Sequence, residues 1–192
     1  MSAVASGGSG PELVTERLLM RRWRASDRDP FAAMNADPEV MRYFPAPLDR
    51  AGSDAMVDRI ERIFEEHGFG LWALEVRATG RFVGFTGLAP MPVGVPGEGG
   101  MEIGWRLARA AWGQGLATEA ASAVRDFAFD VVGLPELWSL TAVVNTPSIA
   151  VMERIGLTHV ATVDHPRVPR GPLRQHVIYH RDAPARRPDS SG

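Results

Sequence analysis

The stretch Met101–Ala120, MEIGWRLARAAWGQGLATEA, restricts what this chain can fold into more than any other. Met101, Ile103, Trp105 and Leu107 alternate with Glu102, Gly104 and Arg106, the period of a strand with one apolar face. Gly113-Gln114-Gly115 follows and opens a helix. Glycines at a helix start let several backbone N–H groups converge on one point. The positive end of the helix dipole adds to them, which makes a site for phosphate or pyrophosphate. The centre of the chain therefore reads as a strand able to line a reaction site, running into a loop able to hold a phosphorylated cofactor.

The flanking sequence supplies the rest of a mixed α/β domain. Strand patterns are expected over 12–23, 69–76, 81–88, 101–107, 137–144, 157–163 and 173–181, about seven in all. Helices are expected over 26–36, 53–67, 115–131 and from Thr146, with Thr146 as N-cap and Pro147 at the first helical position. In the helix over 53–67, Met56, Val57, Ile60, Ile63 and Phe64 form one apolar face, and Gly68 is placed for a left-handed cap. The strands at 101–107 and 137–144 are joined through a helix, so they should lie parallel with a right-handed crossover. The Gly/Pro-rich run 90–100 is a lid or slack chain.

Composition narrows the function classes. A chain of 192 residues with 45% hydrophobic content is large enough for one buried core, expected over 11–182, with disordered ends at 1–10 and 183–192. The net charge of −2 gives no general attraction to nucleic acid or to an anionic membrane. There is no apolar run of ~20 residues, and no charged-then-apolar leader pattern, so the expected location is the cytoplasm. With no cysteine, disulfides, thiolate metal sites and an acyl-cysteine intermediate are all excluded. His176 and His180 are four apart, but in a strand pattern with no third ligand, so no metal is expected.

The motifs Thr15–Trp23 (TERLLMRRW), Asp37–Phe44 (DPEVMRYF), Gly113–Ala120 (GQGLATEA) and Asn145–Leu157 (NTPSIAVMERIGL) occur in one order. In that order they resemble the GNAT superfamily of N-acetyltransferases, and within it the RimJ/RimL-type branch. The resemblance implies a mixed seven-stranded sheet whose two central parallel strands splay apart around acetyl-CoA. It places the pyrophosphate on the backbone amides of Trp112, Gly113, Gln114, Gly115, Leu116 and Ala117, beside Thr118. The pantetheine would run along Trp105, Arg106 and Leu107. Two positions depart from the family pattern. Ala110 stands where a Gln or Arg often precedes the loop, with Arg109 one residue earlier, and Met152 replaces the tyrosine that serves many relatives as general acid.

Individual side chains then acquire candidate roles. Glu102 is the candidate general base, because an ammonium must lose its proton before attacking a thioester. The other reading of Glu102 is a charge on the open side of a strand or in an ion pair. Asn145 either bonds the pantetheine or caps the next helix. Ser148 and Tyr179 are candidates to protonate the departing thiol. Arg109 is a candidate phosphate partner, and Trp112 a wall of the cofactor channel. His67, Phe69 and Trp72 are candidates to border the acceptor pocket. The function this implies is acetyl transfer from acetyl-CoA to a primary amine by direct attack in a ternary complex. The amine belongs to a protein N-terminus, such as that of a ribosomal protein, or to a small molecule. Backbone N–H groups of the central strand would polarise the thioester carbonyl. Acetylation of aminoglycoside-like drugs and a non-catalytic acyl-CoA-binding module are the competing readings. Either a monomer or a homodimer fits.

Overall fold

The computed structural model describes residues 10–185. The expected disordered ends, apart from Gly10 and residues 183–185, lie outside the described residues. Eight strands form one sheet in the order β1-β2-β3-β4-β5-β6-β8-β7. They are β1 (Leu13–Val14), β2 (Leu18–Arg21), β3 (Leu71–Val76), β4 (Arg81–Pro90), β5 (Met101–Leu107), β6 (Glu136–Ala142), β7 (Thr158–Asp164) and β8 (Gln175–Asp182). The helices are α1 (Arg28–Ala36), α2 (Pro38–Met41), α3 (Arg50–His67), α4 (Leu116–Phe127) and α5 (Thr146–Arg154). No helix among them is long and apolar enough to cross a membrane.

The count is eight rather than seven because the single strand expected over 12–23 folds back on itself. Thr15 N–H donates to the Leu18 carbonyl at 2.9 Å, and Leu13 pairs with Met20 across the turn. That turn lets Thr15 Oγ1 and the Arg17 backbone N–H both donate to Glu119 of α4, at 2.6 and 2.9 Å. A contact 102 residues away in the chain leaves no local signal. Two helix starts also differ from expectation. α3 begins at Arg50, because Asp49 accepts from Gly52 N–H as its N-cap. α5 is capped by Asn145 rather than Thr146, which becomes the first helical residue. Gly68 and Gly133 take left-handed conformations at the ends of α3 and of the turn after α4, as their positions predict.

Strand register decides which face each side chain serves. Phe85 lies opposite both Ala73 and Arg106, and Trp72 lies opposite Thr86, itself opposite Trp105. One face therefore carries Phe85 and Arg106 and packs under α1, α2 and α3 with Phe31, Met34, Val40, Met41 and Val57. The other carries Trp72, Leu74, Leu88, Ile103 and Leu107, and packs with Ala120, Val124 and Phe127 of α4, Met152 of α5 and Ile155 just after it.

Candidate active site

β5 and β6 are parallel, as the helical crossover between them predicts, yet they are bridged only at Glu102 and Trp138. Ser139 Oγ adds one bond just beyond, donating to the Ile103 carbonyl at 2.9 Å. Past that point the strands separate. Backbone groups alternate sides along a strand. Gly104 C=O turns toward β4, where it accepts from Thr86 Oγ1 at 3.0 Å. Ile103, Trp105 and Leu107 thus direct their backbone N–H and C=O groups toward the gap, and those of Trp105 face the opening. The gap is part of a cleft of about 1170 Å³.

At one end of the gap lies the glycine loop. Gly113 and Gly115 have φ of +73° and +75°, a backbone region closed to most side chains. A Cβ on Gly113 would project into open space, with nothing within 4 Å. The loop opens directly into α4, whose first residues Leu116, Ala117 and Thr118 line the cleft with Gly113, Gly115 and Trp112. Trp112 is held by its indole N–H on the Leu107 carbonyl at 2.8 Å, and is 39% exposed. These groups fit a pyrophosphate: converging amides, a helix start and no obstructing side chain. Gln114 spends its side-chain amide on the Ala110 carbonyl at 2.9 Å, and Arg109 is exposed outside the cleft. The loop is instead steadied by Arg17, which donates to the Gln114 carbonyl at 2.8 Å while paired to Glu119.

Opposite, at the start of α5, Asn145 is buried and uses its amide on its own chain. Its Oδ1 accepts from Ser148 N–H at 3.4 Å. Its Nδ2 donates to Thr141 Oγ1 at 2.8 Å and to Ser148 Oγ at 3.0 Å. Because Ser148 Oγ accepts that bond, its own proton is free for a group in the cleft. Met152 is buried in the core, 1% exposed.

Glu102 and Arg106 share the cleft with Gly104 between them, where a Cβ would meet nothing within 4 Å. No protein hydrogen bond satisfies the Glu102 carboxylate among the described residues. Burial pushes its pKa up to about 7, against the opposing pull of the Arg167 charge. A carboxylate that titrates near neutrality is suited to accept a proton from an amine. Arg106 lines the same cleft. Its side chain turns under α1 and α3, where Nη1 donates to Asn35 Oδ1 at 2.6 Å.

Four candidates lie away from the cleft. Tyr179 is opposite Ser139 in the β6–β8 register, on the face covered by α4 and α5, and donates to Glu153 Oε1 at 3.2 Å. Trp72 is fully buried against Phe64 and Phe127, its indole N–H on the Pro11 carbonyl at 2.7 Å. Phe69 is buried beside Phe127, and His67 is exposed at the end of α3. One residue of register separates Trp72 from Leu71, and it is Leu71 that reaches the cleft. His165, not singled out from the sequence, and His176, considered there only as a metal ligand, lie in the cleft wall with their rings 4.8 Å apart. Burial holds both below the ordinary histidine pKa, so they are neutral near pH 7. His180, four residues on, lies instead against Trp138 and Glu136.

Residues 17–158 match the family model described as Acetyltransferase (GNAT) domain. The chain belongs to the GNAT acetyltransferase family. It is an N-acetyltransferase, and its acyl donor is acetyl-CoA. It is 33% identical over 153 residues to the protein YkkB of Bacillus subtilis strain 168, covering 79% of this chain and 88% of that one. It is also 33% identical over 159 residues to the FsC-acetyl coenzyme A-N(2)-transacetylase of Aspergillus fumigatus, covering 79% and 67%. Among solved structures, an acetyltransferase from Agrobacterium tumefaciens C58 superposes with a TM-score of 0.75 at 29% identity, covering 94% of this chain and 99% of that one. RimL, a ribosomal L7/L12 alpha-N-protein acetyltransferase in complex with coenzyme A, superposes at 0.71 and 15% identity, covering 88% and 96%. At that identity it shares the fold alone.

Proposed function

We propose that this GNAT acetyltransferase acetylates a primary amine by direct attack in a ternary complex, with Glu102 as general base and Ser148 as proton donor. The observation that carries this is the placing of two proton-handling groups on one gap between parallel strands. Glu102 has an unpaired carboxylate with a pKa near 7, and Ser148 has a hydroxyl proton left free by Asn145. Glu102 takes the proton of the incoming ammonium, directly or through water. The Trp105 N–H, on the open edge of β5, is available to the thioester oxygen as negative charge develops there. Ser148 passes a proton to the departing sulfur and regains one from the attacking nitrogen through water, a relay that neither Met152 nor the remote Tyr179 can perform. The chain has no cysteine, which excludes an acyl-cysteine intermediate. The acceptor amine is that of a small molecule or of a protein N-terminus, met in the cytoplasm. The likeness to RimL supports the second source through fold only.

The test is calorimetric titration of acetyl-CoA into the wild type and into a Gly113→Glu, Gly115→Glu double variant, followed by thiol release with a panel of amines. Binding by the wild type, its loss in the variant and amine-dependent release are expected. Binding without release from any amine would make the protein an acyl-CoA-binding module.

A further inference from the structure

Arg106 is a half-buried cation with no counter-charge among the described residues. Arg17, Arg21, Arg22, Arg24, Arg28 and Arg50 each meet a carboxylate. Arg106 meets none among the described residues. Its polar neighbours are the neutral Asn35 amide and the Met56 sulfur, the latter at 4.0 Å. Asn35 is itself fully buried and held by donation to Ser53 Oγ at 3.1 Å, so Nη1 is fixed in place. Nε is buried with no hydrogen-bond partner at all. Nη2 has no protein partner either. The guanidinium lies over the Phe44 ring at 4.1 Å and near Phe85 at 5.4 Å, and the side chain lines the cleft. Burial holds its pKa down at about 10, so it remains charged at neutral pH.

Burying an unpaired charge is unfavourable, and a neutral side chain would fill the same space without that penalty. The arrangement makes physical sense when a ligand brings the missing charge. With Nη1 committed to Asn35 and Nε sealed from the cleft, Nη2 is the nitrogen left to donate a charge-assisted hydrogen bond to a carboxylate. Glu102 lies on the same face of β5, four residues back. At ~3.3 Å per residue the two Cα atoms are about 13 Å apart, with only Gly104 between them and open space above it.

We propose that the acceptor is a small amine carrying a carboxylate, its amine end at Glu102 and its anionic end on Arg106. This rests on the acetyltransferase mechanism above and names the class of its acceptor. A small acceptor is favoured over a peptide because the guanidinium is set back between the Phe44 and Phe85 rings and against Asn35 of α1 and Met56 of α3. The coenzyme, also an anion, meets the chain at the glycine loop beyond the end of β5.

The test uses binding, so that it does not depend on turnover. 4-Aminobutyrate, 6-aminohexanoate and 8-aminooctanoate, each beside its primary amide, are titrated into the coenzyme A-saturated wild type and into R106Q and R106K. A peptide with a free N-terminus and acidic side chains is the comparison. In the wild type, at least one carboxylate should bind ten-fold or more tightly than its amide. In R106Q the preference should fall to within two-fold, and R106K, which keeps the charge but loses the planar guanidinium, should lie between. Coenzyme A should bind all three proteins equally, and thermal melting confirms that the variants fold.

Equal binding of carboxylate and amide by the wild type overturns the proposal without any variant being needed, as does failure of every carboxylate to bind. A preference that survives in R106Q overturns it too. Loss of coenzyme A binding in folded R106Q would assign the cation to the coenzyme, and tighter binding of the acidic peptide would assign it to a polypeptide acceptor. If the wild type binds no coenzyme A, the acetyltransferase mechanism fails. The carboxylate–amide comparison on the free protein still decides the role of Arg106.

Discussion

Ser139 Oγ donates to the Ile103 carbonyl at 2.9 Å, at the last point where β5 and β6 touch. The bond fixes where the sheet opens. In Ser139→Ala a buried carbonyl loses its partner, at about 1–3 kcal/mol. Thermal melting should show that loss. Calorimetry should show weaker acetyl-CoA binding, because the gap no longer begins at a defined residue. Unchanged melting and affinity would mean that strand pairing alone sets the opening.

Glu102 couples activity to stability. Its carboxyl must be ionised to act as base, so kcat/KM should rise through pH 7. Glu102→Gln should remove that limb and lower kcat by ~10²-fold or more. The stability effect has the opposite sense. A carboxyl whose folded pKa is raised contributes stability that is full below the unfolded value near 4.5 and lost by the folded value near 7. Glu102→Gln should therefore melt higher than wild type above pH 7, by up to about 3 kcal/mol. The advantage should vanish below pH 4.5.

Ser148 and Asn145 should separate in their effects. Ser148→Ala removes the proposed donor to sulfur and should lower kcat about ten-fold, while acetyl-CoA binding and melting hold. The fall is modest because a thiolate is already a fair leaving group, with an ordinary thiol pKa near ~8.5. Asn145→Ala removes the cap of α5 and the bonds to Thr141 and Ser148 together. It should lose about 1 kcal/mol of stability in addition to the drop in kcat. Single-turnover kinetics and melting curves on both variants check the distinction.

Arg17 holds the glycine loop from outside it. Its pairing with Glu119 is half-exposed and worth at most about 1 kcal/mol. Arg17→Met should therefore leave melting nearly unchanged. The bond to the Gln114 carbonyl goes as well, and acetyl-CoA affinity should fall several-fold. An equal fall in stability and no change in affinity would reduce Arg17 to a surface ion pair.

What could be read from residues one by one was local. The alternation of β5, the glycines at 113 and 115, the cap at Gly68 and the apolar stripe of α3 each rest on a few neighbouring residues whose backbone preferences agree. Those elements stand in the structure, and with them the glycine loop at the head of α4. Glu102 was legible as a base candidate because it lies on the even-numbered face of the same strand. The split of the first strand was not, since it depends on Thr15 and Arg17 reaching Glu119 across the fold.

The sequence by itself determined the periodicities, the turns and hence the order of elements around one glycine-opened helix. Tertiary structure decided the register, and register decided the site. Pairing Ser139 with Tyr179 sends the phenol to the α4–α5 face, and a one-residue step buries Trp72 while Leu71 meets the cleft. Side chains alternate across a sheet, so the identity of a cleft residue depends on which partner it faces. The same is true of charge. Arginine is common in this chain, but only packing shows that Arg106 is enclosed by Asn35, Phe44 and Phe85 with no carboxylate beside it.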